Sequence, residues 1–229
     1  MKYAYRTSLI VGAGQGLGAS VARRFARAGI AVALAARDAT RLRPLCDETG
    51  ATAFSCDASD PRHVAGLFDT VEAHFGPPDV VVYNASARVR GPFESLDPEG
   101  VLRTLMVSAY GAFLVARRAV PGMLAKQSGA LLFTGASASI KGYAQSAPFA
   151  MGKFALRGLA QSLARELAPK GIHVAHFVID GAIRPRGQAD ADDAMLDPDA
   201  IADSYLDVLE QDRSAWTWEV ELRPWSERF

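Results

Sequence analysis

The fold is decided by the stretch Val11-Gly12-Ala13-Gly14-Gln15-Gly16-Leu17-Gly18, which places four glycines in eight residues. The apolar run Ser8–Val11 leads into it. After it, apolar residues recur at helical spacing on one face: Leu17, Val21, Phe25 and Ala28. This order predicts a strand, a glycine turn and a helix. Glycine allows a tight turn and close backbone approach to a ligand, and a helix N-terminus favours an anion.

The glycine spacing itself points to a nucleotide. Gly14-x-Gly16-x-x-Ala19 fits the general fingerprint of dinucleotide-binding loops. A glycine-rich hairpin without a ligand has a similar composition, so the rest of the chain has to decide between the two.

Composition limits the class of protein. The 229 residues are 49% hydrophobic and 22% charged, as in ordinary soluble globular proteins. Basic and acidic residues both number 25, so charge gives no indication of a nucleic-acid or membrane partner. We expect no membrane span and no signal peptide at residues 1–6. Cys46 and Cys56 are expected to be reduced thiols, which favours a cytoplasmic location.

Predicted strands and helices alternate along the whole chain. Seven strands are predicted, at 8–11, 30–36, 51–55, 80–83, 130–133, 172–179 and 216–222. Helices are predicted between them, including a long one from Pro98 to about Ala125. The βαβ order predicts an α/β fold, a doubly wound parallel sheet of the Rossmann type in a single domain, 1–229. In such sheets, ligands bind beyond the carboxyl ends of the strands.

The residues after the second strand bear on the choice of cofactor. Arg37 follows the apolar run directly, and its guanidinium fork suits a 2′-phosphate. Asp38 is the rival, because an acid here would hold a 2′-hydroxyl, but it also suits a helix N-cap. The pattern favours NADP(H), with NAD(H) as the alternative.

Further motifs follow the later strands: Cys56-Asp57, Asn84-Ala85-Ser86, Lys153 and Asp180-Gly181-Ala182-Ile183. With the spacing Gly12-x-x-x-Gly16-x-Gly18, they resemble the short-chain dehydrogenase/reductase family over nearly the whole chain. The resemblance implies a Rossmann fold that binds NAD or NADP. It also implies subunit contacts through the long helices and the last strand, hence a homodimer or homotetramer.

The resemblance implies roles for single residues. Asp57 would contact the adenine amino group, Asn84 and Ala85 the nicotinamide-side ribose, Lys153 the ribose hydroxyls, and the Ile183 backbone the carboxamide. The cofactor-binding residues predicted in all are Gly12, Gly14, Gln15, Gly16, Leu17, Gly18, Arg37, Asp57, Ala58, Asn84, Ala85, Ser86, Lys153, Gly181 and Ile183.

The catalytic residues depart from the family pattern. Its Tyr-x-x-x-Lys motif is here Phe149 to Lys153, and its serine falls on Ala136. Its helix asparagine aligns with Ser108. A phenylalanine cannot protonate an alkoxide, and losing a general acid costs ~10²- to 10⁴-fold in rate.

Three residues remain as candidates for catalysis. Lys153 lies in an apolar helical stripe, where it either extends to water or binds the ribose and, once desolvated, supplies a proton. Tyr143 and Ser137 are alternative donors. For Tyr143 the competing interpretation is a surface aromatic, and for Ser137 ordinary turn hydrogen bonding.

The histidines do not predict a metal site, because His173 and His176 would face opposite sides of a strand. Two functions stay open. One is an NADP(H)-dependent oxidoreductase acting on an unknown carbonyl or alcohol with an unusual proton donor. The other is a catalytically silent nucleotide-binding protein, either a sensor or a partner subunit.

Overall fold

The computed structural model describes residues 5–226, so both ends of the predicted domain, residues 1–4 and 227–229, lie outside the described residues. Seven parallel strands form one sheet in the order β3-β2-β1-β4-β5-β6-β7. Their bounds are β1 Thr7–Val11, β2 Ala31–Ala36, β3 Thr52–Ser55, β4 Val80–Tyr83, β5 Gly129–Thr134, β6 Ile172–Ile179 and β7 Glu219–Leu222. The predicted doubly wound sheet is confirmed.

Helices cover both faces of the sheet. They are α1 Leu17–Arg27, α2 Arg43–Thr49, α3 Pro61–Phe75, α4 Pro98–Leu105, α5 Gly111–Lys126, α6 Ala147–Leu167 and α7 Pro198–Leu209. One core lies under α1, α2 and α7, around Phe25 and Tyr205. The second lies under α3, α5 and α6, around Phe68 and Leu156. Strands buried on both faces explain the continuous apolar runs in the sequence.

Three helices begin at the same dipeptide, Asp followed by Pro. Asp60, Asp97 and Asp197 each accept a hydrogen bond from the backbone N–H two residues later, at 2.7, 3.2 and 2.8 Å. The carboxylate satisfies a donor that the first helical turn leaves open, and proline tolerates the first helical position because it has no N–H. The helices therefore begin at the dipeptides where the sequence predicted them to begin.

The predicted long helix is interrupted by a π-helical segment, Met106–Tyr110, between α4 and α5. The hydroxyl of Tyr83, at the end of β4, donates to the Val107 carbonyl inside this segment. Gly152 of α6 packs closely against Ser108, where an added Cβ would lie 2.9 Å from the serine Cβ. Tertiary contacts that apolar periodicity cannot show therefore hold the segment, and such segments often mark functional sites.

Two other boundaries differ from the predictions. The helix predicted from Thr40 begins as a 3₁₀ turn, Ala39–Leu42, and becomes α-helical at Arg43. The last strand begins at Glu219 rather than Trp216. The Trp216 indole and the Thr217 N–H both donate to Gln211, at 3.2 and 2.8 Å. These bonds hold the two residues in the preceding turn and keep them out of the sheet.

One helical stretch bears on the expectation that the chain has no membrane span. Taken together, α4, the π-helical segment and α5 (Pro98–Lys126) are long and apolar enough to cross a membrane by length and composition alone, with 44% of the most apolar part buried. The core helix of a globular domain meets the same criterion, so this stretch does not establish a span. Its buried residues pack on the sheet, as in a core helix of a globular domain: Ala112, Val115, Ala116, Ala119 and Met123.

We expect Gly111→Ala to lower the free energy of unfolding by about 1–3 kcal/mol, the usual cost of overpacking. The new Cβ would lie 2.3 Å from the Tyr83 hydroxyl oxygen and 2.6 Å from the Ala58 carbonyl oxygen. Urea denaturation measures the change.

The matched control is Gly158→Ala in α6, where an added Cβ meets nothing within 4 Å. Because alanine favours the helix, this variant should be up to about 1 kcal/mol more stable than the parent. Similar effects from both substitutions would contradict the close packing at Gly111.

Candidate functional site

A cavity of about 720 Å³ lies at the carboxyl ends of β1 to β4. Strand order reverses between β1 and β4, and ligands of doubly wound sheets bind at such a switch point. The cavity brings together nine of the predicted cofactor residues: Gly12, Gly14, Gln15, Arg37, Asp57, Ala58, Asn84, Ala85 and Ser86. The structure therefore brings these nine residues to one cavity, and their contact with a cofactor stays a prediction.

The glycines of the turn have two different roles: one allows close packing, and the others leave the backbone accessible to a ligand. Gly12 has φ +86°, and a Cβ on it would lie 2.3 Å from the Ala85 nitrogen. The Asn84 amide donates to the Gly12 carbonyl at 2.9 Å. Cβ atoms on Gly14 and Gly16 would meet nothing within 4 Å. Gly12 is therefore required for packing, whereas Gly14 and Gly16 present bare backbone to open space.

The start of α1 completes a cradle for an anion. Its N-cap, Gly16, has no side chain to accept from the first-turn N–H groups. Leu17 is buried in the core, so only its backbone can serve a ligand, and Gly18 lies behind the turn against Ala13. Open N–H groups and the helix dipole both favour a phosphate here. The cradle fits the pyrophosphate of a dinucleotide.

The end of β2 carries the charges that distinguish the two cofactors. Asp38 accepts from the backbone N–H of Thr40 at 3.0 Å and from its hydroxyl, and the hydroxyl bond lowers the pKa of the Asp38 carboxyl. The N-cap interpretation of Asp38 is therefore confirmed. Arg37 and Arg41 line the cavity, and neither forms an ion pair with any described residue. Sequence analysis missed Arg41, which the 3₁₀ turn brings beside Arg37.

Asp57 keeps one oxygen available. Its Oδ1 accepts from the Ser59 N–H at 2.9 Å and from the Ser59 hydroxyl at 2.6 Å. These bonds, and then the charge of Arg37, hold the pKa of Asp57 below its usual range. Oδ2 makes no hydrogen bond within residues 5–226. An ionised carboxylate with a free oxygen in the cavity wall fits the predicted contact with an adenine amino group.

Lys153 is buried rather than extended to solvent. Its side chain is 3% exposed, and Nζ donates to the Thr134 carbonyl at 2.7 Å. Burial, and then the charge of Arg88, lower the pKa of Lys153 to about 8. The interpretation that Lys153 reaches water is therefore wrong. The residue does not line the 720 Å³ cavity, so its contact with the ribose stays a prediction.

Two cations lie near the ring of Phe149. The ring is 6% exposed, with Lys153 Nζ 5.8 Å and Arg88 Cζ 4.0 Å from its centre. As a phenylalanine, residue 149 itself carries no hydroxyl that could donate to a substrate.

The other candidate donors lie in the loop between β5 and α6. Ser137 is half-buried, and its hydroxyl has no hydrogen-bond partner among the described residues. Tyr143 is 45% exposed, and the Lys141 ammonium lies 5.8 Å from the centre of its ring. No hydrogen bond or ring contact joins it to Phe149 or Lys153 in residues 5–226. Both roles stay predictions.

The end of β6 offers free backbone groups. The Arg184 N–H donates to Leu196, and the Leu196 N–H donates to Ala182, both at 2.8 Å. Between these bonds, the N–H and carbonyl of Ile183 remain unpaired among the described residues, as a bound carboxamide would require. Gly181 packs against Pro224, where an added Cβ would lie 2.8 Å from Cδ. Neither predicted residue lines the 720 Å³ cavity.

His176 is a buried residue that sequence analysis considered only as a metal ligand. It is 0% exposed, and its Nδ1 lies 3.0 Å from Glu219 Oε2. Burial lowers the pKa of His176 to about 4, so the neutral ring donates from Nδ1 and its Nε2 is left without a partner. Gly135 makes room for that nitrogen, since a Cβ there would lie 2.3 Å away. No group of three metal-ligating side chains occurs among residues 5–226.

Fold and cavity together define a dinucleotide-binding protein of the Rossmann class. A family model described as Enoyl-(Acyl carrier protein) reductase matches residues 12–205. The chain belongs to the short-chain dehydrogenase/reductase family.

Relatives of this chain carry oxidoreductase names. The 3-oxoacyl-(acyl-carrier-protein) reductase MabA of Mycobacterium bovis is 30% identical over 178 residues, covering 78% of this chain and 69% of the relative. A short-chain dehydrogenase from Rhodopseudomonas palustris is 35% identical, with TM-score 0.85 over 96% of this chain and 99% of the other. A metagenomic short-chain oxidoreductase in complex with NADP is 27% identical, with TM-score 0.86 over 98% and 99%.

We expect the free energy of unfolding of this protein to increase as the pH rises, because Lys153 loses its buried charge. Its pKa falls from an ordinary 10.5 to about 8 on folding, so the charged form costs roughly 3 kcal/mol at neutral pH. Between those values the unfolded chain binds more protons than the folded one, and the free energy of unfolding therefore rises with pH.

Lys153→Met isolates this contribution at alkaline pH, because His176, the described group whose pKa the Lys153 charge also affects, is neutral in the folded protein there. Urea denaturation at about pH 7 and about pH 9.5 should show the parent gaining stability relative to the variant. The same difference at both pH values would mean that Lys153 titrates normally and is hydrated.

Proposed function

We propose that this protein is an NADP(H)-dependent oxidoreductase that interconverts a carbonyl and an alcohol with a proton source other than the family's tyrosine. The proposal rests on the charged side chains in the part of the cavity wall that follows β2. There Arg37 and Arg41 lack ion-pair partners among the described residues, whereas Asp38 is engaged by Thr40.

The preference for NADP(H) follows from the charges at that wall. A 2′-phosphate needs cations, and guanidinium forks bind phosphate in a bidentate way. A 2′-hydroxyl would call for a free carboxylate, and Asp38 already accepts two hydrogen bonds. The relative that was solved in complex with NADP supports the same choice. NAD(H) is the alternative.

Lys153 is the proposed proton source for carbonyl reduction. When bound, the cofactor supplies the hydride to the carbonyl carbon, and the carbonyl oxygen must then take a proton. The Lys153 ammonium has three N–H groups, of which one is held by Thr134. A pKa of about 8 makes it a stronger acid than an ordinary lysine. Because Lys153 is buried, the neutral amine would recover its proton from water that enters the site once the product has left. Ser137 and Tyr143 are the alternative donors.

A catalytically silent nucleotide-binding protein is the second candidate. Phe149 cannot donate a hydrogen bond, and the N–H of Ala136 donates to the Ser139 hydroxyl at 3.1 Å. The oxidoreductase names of the relatives favour the enzyme over this candidate.

We also propose that the protein forms a homodimer or homotetramer through α4, α5 and α6. These helices and the π-helical segment expose large apolar side chains: Leu102, Tyr110, Phe113, Met151 and Phe154. Tyr110 and Phe113 stack at 6.0 Å between ring centres. Exposed apolar patches of this kind mark subunit contacts. A cytoplasmic location fits the free thiols of Cys46 and Cys56.

We expect Arg37→Ala to weaken NADPH binding by about 1.5–3 kcal/mol, the loss of a charge-assisted hydrogen bond, and to leave NADH binding nearly unchanged. Arg41→Ala should act in the same direction. Fluorescence titration with each cofactor measures both effects.

Arg62→Ala is the matched control, since Arg62 lies on α3 and pairs with its own N-cap, Asp60. It should change neither affinity. Equal losses of NADPH and NADH affinity in the Arg37 variant would exclude the 2′-phosphate assignment.

Restoring the family pair should raise carbonyl reduction. The double variant Ala136→Ser with Phe149→Tyr supplies a hydrogen-bond donor and an acid, so kcat/KM for simple ketones should rise by at least ~10²-fold. The rate of NADPH consumption measures this, and NADPH affinity is the control.

Tyr143→Phe and Ser137→Ala in the parent test the alternative donors. If the parent turns over and one of these variants does not, that residue is the acid in place of Lys153. If the parent and the restored variant are both inert, the silent nucleotide-binding protein is the better description.

A further inference from the structure

Arg88 occupies an unusual place for an arginine beside the site. Its guanidinium carbon lies 4.0 Å from the centre of the Phe149 ring, which is itself 6% exposed. At this distance the cation rests on the ring face, and the aromatic quadrupole attracts it. The ring therefore fixes one face of the guanidinium and leaves its N–H edge available.

The three residues that precede Arg88 in the chain belong to the wall of the cofactor cavity. Ala85, Ser86 and Ala87 line that cavity, and the Ala87 N–H donates to the Ser108 hydroxyl at 3.4 Å. Arg88 is the next residue along the chain. Arg88 therefore follows directly on the cavity wall in the chain, and its guanidinium lies on the ring that replaces the family's tyrosine.

No acid balances the positive charge on this side of the ring. Arg88, Arg90 and Lys153 form no ion pair with a carboxylate among the described residues. Burial, and then the charge of Arg90, lower the pKa of Arg88, and burial, and then the charge of Arg88, lower the pKa of Lys153. Binding an anion here would relieve this repulsion.

The loop after β6 does not compete for that anion. Arg184 pairs with Asp197, and Arg186 lies 3.7 Å from Glu48. These arginines already have acidic partners. Arg88 is accordingly the better placed group for an anion at the substrate end of the site.

We propose that Arg88 binds the carboxylate of the substrate, which makes the substrate class oxo acids and the corresponding hydroxy acids. This rests on the proposed function, because it assigns the substrate of the same site. Two parallel N–H groups of a guanidinium match the two oxygens of a carboxylate, and the stacked ring holds them in one plane. The Lys153 ammonium, 5.8 Å from the centre of the same ring, adds a second positive charge near this anion.

The experiment measures binding without turnover, by calorimetry on the protein saturated with NADP⁺. An oxo acid and the oxidised cofactor do not react, so the affinity is read directly. The probes are 2-oxopentanoate, 3-oxobutanoate and 4-oxopentanoate, each paired with its methyl ester. At least one acid should bind about tenfold or more tightly than its ester, as expected for a charged hydrogen-bonded pair.

Three variants assign that preference to a residue. Arg88→Gln should abolish it, and Arg88→Lys should keep only part of it, because the charge remains and the fork is lost. Arg90→Gln is the matched control, with the charge removed two residues away, and should keep most of the preference. Urea denaturation checks that each variant folds.

The experiment distinguishes failure of the carboxylate assignment from failure of the proposed function. Equal binding of acids and esters, no binding of any acid, or a preference that survives Arg88→Gln would overturn the carboxylate assignment. Titration with NADP⁺ alone comes first, and its failure would overturn the proposed function. The comparison of acids with esters is also made on the protein without NADP⁺. There, too, a preference for an acid that Arg88→Gln abolishes supports the assignment of Arg88, and the absence of such a preference overturns it.

Discussion

The close approach of Gly12 to the backbone of Asn84 and Ala85 is the constraint on which the site depends. A Cβ on Gly12 would lie 2.3 Å from the Ala85 nitrogen, nearer than any side chain permits. The bond from the Asn84 amide to the Gly12 carbonyl, 2.9 Å long, holds the same two strand ends together. Because β1 and β4 are neighbours at the switch point of the sheet, this contact places the phosphate cradle beside the residues that follow β4.

A second set of contacts fixes the other half of the site. The Ser108 hydroxyl accepts from the Ala87 N–H, and Gly152 packs against Ser108. Gly152 directly precedes Lys153, so the π-helical segment, the residues after β4 and the lysine form one packed unit. Packing of this density keeps Lys153 away from water, and desolvation lowers its pKa. The lysine is thereby changed from a surface cation into a buried acid.

Much of the fold follows from local patterns. Apolar runs predicted the five inner strands, β1, β2, β4, β5 and β6, because a strand buried on both faces of a parallel sheet shows no alternation. The dipeptides Asp60-Pro61, Asp97-Pro98 and Asp197-Pro198 predicted helix starts correctly, because capping involves only adjacent residues. The residues after β1 to β4 supplied nine members of the cavity wall, since parallel strands end at the same edge.

The errors have a common cause. The π-helical segment depends on Tyr83 and Gly152, which are remote in sequence from Val107 and Ser108. Arg41 reaches the cavity only because a 3₁₀ turn precedes α2. His176 was considered only as a metal ligand, yet its partner is Glu219, a residue of a different strand. Each depends on a contact between segments that a linear pattern does not bring together.

By itself, the sequence determined the order of strands and helices, the phosphate-binding turn and the absence of a tyrosine and a serine at the expected positions. These features depend on residue type and on spacing along the chain, and both can be read without coordinates. The tertiary structure alone decided that Lys153 is buried on Thr134, that Arg88 rests on Phe149 and that Arg41 joins Arg37 at the cavity. Burial and charge pairing depend on distances between remote segments, and only the packed chain sets those distances.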